Sequence, residues 1–192
     1  YVALEFAHIF HGLGVETRVL HRGDQLLRGF DSDLRAHMHI EGERAGIRFT
    51  LKTTLTKLEK AGGTIRATLS TGEKLETDAV LFATGRVPNT RGLGLERAGV
   101  KLDNAGAVIV DEYSQSCVAS VYAIGDVTNR MNLTPVAIRD GHAFADTIYN
   151  QRPTPVDHRS VPSAVFTRPP IGTVGLTESD AMRSHAEVDI YR

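Results

Sequence analysis

A helix-strand order that occurs twice in the first 51 residues constrains the fold more than any other feature of this chain. Residues 2–13 carry apolar side chains at helical spacing, and the β-branched run 15–20 follows directly after glycine. Asp31 is a candidate N-cap for a second helix to about Ala45, and residues 47–51 have strand character. The order predicts βαβ crossovers in a parallel sheet, with the first strand expected before Tyr1.

One face of the first predicted helix carries the apolar residues Val2, Phe6, Ile9, Phe10 and Leu13. Between residues 53 and 84, three strand-like runs are separated by Gly62-Gly63 and Thr71-Gly72, which predicts a β-meander. The run 78–84 is almost entirely apolar, as in a strand buried on both faces of a parallel sheet.

The second half of the chain continues the α/β pattern. We predict strands at 107–111 and 120–124, and a helix from Pro135 to about Tyr149 with proline in its first turn. The polar, proline-rich stretch 150–162 is typical of a linker.

Short strands are predicted after the linker, at 164–167 and 172–176. We therefore expect three parts: a Rossmann-like dinucleotide domain at 1–88 that lacks its first strand and glycine fingerprint, a central α/β segment at 89–159, and the start of an α+β domain at 160–192.

Composition excludes several classes of protein. Lys and Arg (22) nearly balance Asp and Glu (23), so nucleic acid is not an expected partner. The apolar runs are of strand length, which argues against a membrane protein. The single cysteine, Cys117, excludes an internal disulfide or a Cys-x-x-Cys pair, and we interpret it as a small buried hydrophobe.

The stretch most informative about chemistry is Gly125-Asp126, at the end of an apolar run, followed seven residues after Asp126 by Leu133-Thr134-Pro135. A carboxylate at the end of a strand accepts hydrogen bonds from sugar hydroxyls, and a helix N-terminus favours negative charge. Each element alone is more often a plain turn or helix cap. Their spacing favours a flavin site.

A second candidate site lies where the predicted strand 15–20 runs into His21 and Arg22. No carboxylate ends this strand, although NAD sites usually have one there to bind the ribose hydroxyls. Arg22 and Arg28 flank a short loop and are suited to a 2′-phosphate, which predicts NADPH over NADH. The alternative is that both arginines are solvated loop residues.

The segments HRGDQLLRGFD (21–31), ATGRVPNT (83–90), YAIGDV (122–127) with LTPVAI (133–138), and VPSAVFTRPPIGTVGLTE (161–178) resemble the pyridine nucleotide-disulfide oxidoreductases. The resemblance covers the whole chain and is greatest to the members that reduce glutathione disulfide. It implies an enzyme that uses FAD and NADPH, a cytoplasmic homodimer, and hydride transfer from NADPH to FAD before electrons reach a dithiol.

The resemblance also implies roles for individual residues. Tyr1 would gate the nicotinamide pocket, and Glu5 would pair near the flavin with a lysine outside this chain. The other implied cofactor contacts are Arg22 and Arg28 at the 2′-phosphate, Gly85 and Arg86 at NADPH, Gly125 and Asp126 at the FAD ribityl region, Leu133 and Thr134 beneath the isoalloxazine ring, and Val165 and Phe166 beside the nicotinamide.

Some family features are absent from these residues. They contain no Cys-x4-Cys redox pair and no catalytic His-Pro pair, so no catalytic residue is assigned here, and Ser116 replaces the usual threonine. We interpret His8, His11, His37 and His39 as partly exposed helix residues and expect no metal site. The alternatives are a sibling that reduces trypanothione, a mycothiol disulfide, mercuric ion or lipoamide, or a non-catalytic nucleotide-binding fragment.

Overall fold

The computed structural model describes residues 1–192. The chain forms two compact units, residues 1–84 with 162–192 and residues 85–161. The division at residues 88 and 159 stays a prediction. The regular elements, in chain order, are α1 (Val2–Gly12), β1 (Arg18–Leu20), α2 (Ser32–Ala45), β2 (Arg48–Thr50), β3 (Leu55–Ala61), β4 (Thr64–Leu69), β5 (Lys74–Thr77), a 3₁₀ helix (Gly125–Thr128), α3 (Thr134–Ile148), β6 (Ser163–Val165), β7 (Ile171–Thr173) and α4 (Glu178–Ser184).

The two helix-strand pairs predicted from the sequence are present in the first unit. β1 and β2 are parallel, with Val19 opposite Phe49, so α2 lies in a crossover between neighbouring strands. Gly46 ends α2 in the left-handed conformation, with a φ of 105°. Both strands are shorter than predicted. The α/β class is confirmed.

The buried face of α1 differs from the predicted one. Leu4, Ala7 and His8 are its buried residues, whereas Phe6 and Ile9 are exposed. Leu4 joins the core of this unit, which turns the Phe6 side of the helix outward. The prediction that His8 is partly exposed was therefore wrong, because His8 follows Leu4 by one helical turn.

The predicted β-meander is confirmed as the antiparallel sheet β3-β4-β5. Ala61 pairs with Thr64, so Gly62-Gly63 forms a two-residue hairpin turn. Gly72 has a φ of 87° in the next turn. The local pattern was sufficient here because each strand pairs with its neighbour in sequence.

Strands β6 and β7 pair antiparallel and contribute Val165 and Ile171 to the same core as Leu4 and Met38. α4 was not predicted. It begins after Thr177, whose hydroxyl accepts a hydrogen bond from the Asp180 N–H and caps the helix. The side chain of Asp31, at the N-cap position of α2, instead accepts the Glu178 N–H at 2.6 Å.

Three predicted strands are not formed. Residues 78–84 have no regular structure, and Leu81 and Phe82 are exposed. Residues 107–111 and 120–124 make only isolated bridges, such as Gln115 with Tyr122. A strand requires a hydrogen-bonded neighbour along its length, and apolar composition alone does not supply one.

The second unit packs a small core of its own. Val100, Val108 and Ala123 are its buried apolar residues, and α3 lies against the 3₁₀ helix. Residues 150–162, predicted as a linker, contain no helix or strand. None of the helices in the chain has the length and apolarity required to span a membrane.

Candidate cofactor-binding site

The Gly125-Asp126 loop is the first turn of the 3₁₀ helix and packs directly on α3. Gly125 is buried and has a φ of 65°. A Cβ atom at this position would lie 2.9 Å from the Cβ of Ala137. From the sequence, this glycine is expected to allow close approach of a ligand. The structure instead fills the space beside it with α3, so the glycine allows the loop to contact the helix.

Asp126 presents its carboxylate to solvent, with 48% of the side chain exposed. Its only ion pair is with Arg86, at 3.6 Å between Oδ2 and Nη1. Since both side chains are exposed, this pair contributes little to stability. The structure therefore brings together two of the predicted site residues and leaves the Asp126 carboxylate accessible to hydroxyl donors. Gly85, beside Arg86, has a φ of 118° in an exposed loop.

The N-terminus of α3 follows this loop. Leu133 occupies the N-cap position with an extended backbone, and no side chain caps the helix. Thr134 is exposed, and proline stands in the first turn. A helix start without a capping side chain carries partial positive charge on its free N–H groups. Leu133 and Thr134 thus lie at an end of α3 that favours an anionic group.

A buried carboxylate behind the loop was not predicted from the sequence. Asp140, on α3, is 1% exposed and accepts hydrogen bonds from the Gly125 N–H (3.2 Å), Arg130 Nη2 (3.2 Å) and His158 Nε2 (2.9 Å). The available signal was its place on the apolar face of α3, between Val136 and Ala143. An acid on such a face requires partners.

The start of α1 forms a separate group in the first unit. One carboxylate oxygen of Glu5 accepts the backbone N–H of Phe166 at 3.0 Å. Val165 is buried in the core, whereas the Phe166 ring and Tyr1 are exposed. The structure therefore places Glu5 next to Phe166, which directly follows β6, and the roles implied for both residues stay predictions. No hydrogen bond or aromatic ring pair joins Tyr1 to Phe166.

The loop after β1 carries Arg22 and Arg28, both exposed and without a hydrogen bond or ion pair. Its backbone is nevertheless held firmly. Leu26 and Leu27 are buried, and Arg35 of α2 donates from Nε to the Leu26 carbonyl at 2.6 Å. The loop therefore presents two unpaired guanidinium groups on an ordered backbone.

Two further predictions concern reactive side chains. Cys117 is exposed, and its Sγ lies 3.2 Å from the Gly99 carbonyl oxygen, so its assignment as a buried hydrophobe was wrong. The segment around it makes single bridges instead of a packed strand, which leaves the thiol accessible. No group of three or more potential metal ligands is present.

Residues 1–141 match the family model described as pyridine nucleotide-disulphide oxidoreductase. The chain belongs to this family. The match includes the Arg22 loop, the Gly125-Asp126 loop and the N-terminus of α3. It confirms the predicted family.

Several members of the family are similar over the whole chain. Glutathione reductase of Burkholderia cepacia is 50% identical over 191 residues, covering 100% of this chain and 42% of that protein. The chloroplastic/mitochondrial glutathione reductase of Pisum sativum is 45% identical, with 100% and 35% covered. Trypanothione reductase of Trypanosoma congolense is 41% identical, with 100% and 40% covered. The chain thus spans less than half the length of these relatives.

Solved structures of similar proteins support the fold. The Cu(II) complex of the HOCl-induced flavoprotein disulfide reductase RclA from Escherichia coli is 27% identical, with a TM-score of 0.90 over 97% of this chain and 43% of that one. LpdA from Mycobacterium tuberculosis is 30% identical, with a TM-score of 0.86 over 94% and 39%. Both likenesses extend over both compact units.

Proposed function

We propose that this chain is the central part of an FAD-dependent, NADPH-using reductase of glutathione disulfide. The observation that carries the proposal is the ordered loop after β1, which presents Arg22 and Arg28 without ion pairs. Two unpaired guanidinium groups are suited to the 2′-phosphate that distinguishes NADPH from NADH. The choice of glutathione disulfide is supported by the relatives at 50% and 45% identity.

Two features of the second unit, the Asp126 carboxylate and the N-terminus of α3, are suited to binding a flavin. The Asp126 carboxylate is accessible and has only a weak partner, so it can accept hydrogen bonds from ribityl hydroxyls. The N-terminus of α3 lacks a side-chain cap and favours negative charge. FAD, when bound, would supply the two-electron carrier between a dihydronicotinamide and a disulfide.

In this proposal, residues of the chain bind and orient the nicotinamide dinucleotide. Arg22 and Arg28 would hold the 2′-phosphate, and Gly85 and Arg86 would contact the rest of the dinucleotide. Glu5, which accepts a hydrogen bond from the Phe166 N–H, would pair near the flavin with a lysine that is not among these residues. Val165, which is held in the core, and Phe166 would lie beside the nicotinamide.

Other residues would cover the flavin and the nicotinamide pocket. Tyr1 would close the pocket, while Leu133 and Thr134 would lie beneath the flavin. The redox dithiol and its acid-base histidine are not among these 192 residues. We also propose that the whole enzyme is cytoplasmic and forms a homodimer.

The cofactor assignment is tested by Arg22→Ala with Arg28→Ala in a full-length protein that carries this chain. Each lost phosphate contact removes a charged hydrogen bond of about 1.5–3 kcal/mol, so we expect the NADPH KM to rise on the order of 100-fold or more. The NADH KM stays nearly unchanged because NADH has no 2′-phosphate. Arg97→Ala, another exposed arginine, is the control. Equal losses for NADPH and NADH would refute the assignment.

The substrate is tested separately. The trypanothione reductase at 41% identity makes trypanothione disulfide the second candidate. Steady-state reduction of both disulfides by the full-length protein, with lipoamide as a third substrate, decides between them. We expect the highest kcat/KM for glutathione disulfide. Flavin binding without turnover of any disulfide would instead support a non-catalytic nucleotide-binding protein.

A further inference from the structure

Three segments of the second unit converge on one buried carboxylate. Asp140 Oδ2 accepts the Gly125 N–H and Arg130 Nη2, each at 3.2 Å, and Oδ1 lies 2.9 Å from His158 Nε2. With 22% and 15% of their side chains exposed, Arg130 and His158 are themselves largely enclosed. A carboxylate as buried as Asp140 persists only where donors replace its water.

The same network fixes the peptide that leads into Asp126. Arg130 Nε donates to Thr128 Oγ1 at 3.2 Å, and the Thr128 hydroxyl donates to the Gly125 carbonyl at 2.7 Å. The N–H of Gly125 is held by Asp140 and its carbonyl by Thr128. Because that carbonyl belongs to the peptide bond with Asp126, the direction in which the Asp126 backbone leaves the loop is determined from both sides.

We propose that Asp140, together with Arg130 and His158, is a positioning residue for the FAD site. It acts through Gly125 and Asp126 and makes no contact with the cofactor. This inference rests on the proposed function, because it assigns the positioned group, Asp126, to flavin binding. Removing the network would leave the fold of α3 in place while allowing the Asp126 carboxylate to depart from its binding geometry.

Asp140→Asn is the sharpest substitution. An asparagine of the same shape has one acceptor oxygen, and its NH₂ group would face a donor, so at least one of the three donors loses its acceptor. The matched control is Asp146→Asn on the same helix. Asp146 also accepts from an arginine, Arg152, but it makes no contact with Gly125.

A second pair of variants changes His158 alone. Glutamine in His158→Gln keeps an N–H donor for the Asp140 carboxylate, whereas His158→Ala removes it. If the N–H donor to Asp140 is required, FAD affinity should be higher in the glutamine variant than in the alanine variant.

The experiment measures rebinding of FAD to apoprotein by fluorescence, the visible circular dichroism of the bound flavin, and the far-ultraviolet spectrum of the apoprotein, all in the full-length protein. For Asp140→Asn we expect the FAD Kd to rise about 10- to 100-fold and the visible dichroism to change, with the apoprotein spectrum retained. His158→Ala should show a smaller rise that His158→Gln reverses. Asp146→Asn should match the parent.

Unchanged FAD affinity and flavin spectrum in both Asp140→Asn and His158→Ala would overturn the inference, as would an equal effect of Asp146→Asn. If Asp140→Asn fails to fold, the His158 pair decides by the same readouts. A parent protein that binds no FAD overturns the proposed function and, with it, this inference. A parent that binds FAD while the variants behave alike overturns the inference alone.

Discussion

Gly125→Ala adds one methyl group at the point where the loop carrying Asp126 meets α3. The residue has a φ of 65°, and holding alanine in this left-handed conformation costs about 1–2 kcal/mol. The added Cβ would also lie 2.9 Å from the Ala137 Cβ, and relieving such overpacking costs about 1–3 kcal/mol. We therefore expect the second unit to lose about 2–5 kcal/mol of unfolding free energy.

Gly94→Ala separates the two contributions. Gly94 lies in the same unit with a φ of 71°, and its added Cβ would meet nothing within 4 Å. This control should lose only the backbone part, about 1–2 kcal/mol. Adding Ala137→Gly to Gly125→Ala removes the clashing atom and should recover the packing part of the loss, less about 1 kcal/mol for glycine in a helix, while the backbone part remains.

The assay is urea denaturation followed by circular dichroism, with FAD affinity measured in parallel. We expect Gly125→Ala to weaken FAD binding because the loop must move away from α3, and Gly94→Ala to leave it unchanged. Equal destabilisation by Gly125→Ala and Gly94→Ala, or no recovery in the Ala137→Gly background, would refute the packing argument.

Three further predictions follow from contacts elsewhere in the chain. His11→Ala removes the 2.6 Å contact between Nε2 and the Ala45 carbonyl at the end of α2, and should lower the unfolding free energy by about 0.5–1.5 kcal/mol in urea titrations. Cys117, which is exposed, should react with Ellman's reagent in the native protein, and Cys117→Ser should leave flavin reduction by NADPH unchanged; slow labelling would contradict the structure. Hydrogen bonds from Arg159 lower the pKa of Asp157 from 3.8 to about 2, so the stabilisation by this pair is complete above pH 3.8 and is lost as the pH falls through about 2. An NMR titration of Arg159→Ala should show the Asp157 pKa returning toward 3.8.

Local sequence signals were sufficient for much of the first unit. The helices α1 and α2 and the meander follow from apolar spacing and from glycines at the turns, which act within a few residues. The end of α2 at Gly46 is an example of such a local signal. The same local information did not predict which face of α1 is buried, because that depends on Val165 and Ile171, which follow in sequence by more than 150 residues.

The predicted strands at 107–111 and 120–124 are not formed, which shows that composition alone does not determine strand pairing. Both segments contain the β-branched and aromatic residues that are typical of strands. Their backbone groups nevertheless form hydrogen bonds with turns and loops instead of with a neighbouring strand. The Ser114 carbonyl accepts the Ala123 N–H, and the Val127 carbonyl accepts the Val108 N–H. Pairing over such distances is a property of tertiary structure, and no period in the sequence reports it.

Two carboxylates, Asp126 and Asp140, have different roles in the candidate flavin site. The sequence pointed to Asp126 because it ends an apolar run, and this carboxylate is accessible and only weakly paired, as a ligand-binding group must be. Asp140 has the opposite environment, with 1% exposure and three donors, so its hydrogen-bonding capacity is used within the protein. A carboxylate that binds a ligand needs lone pairs free to accept hydrogen bonds from it. A carboxylate that positions a loop needs lone pairs that already accept hydrogen bonds from the protein. Substituting asparagine at Asp126 should therefore weaken FAD binding without altering the unfolding of the apoprotein, because no buried donor loses its acceptor. The same change at Asp140 should affect both, and a stability loss at Asp126 equal to that at Asp140 would show that the two carboxylates share one structural role.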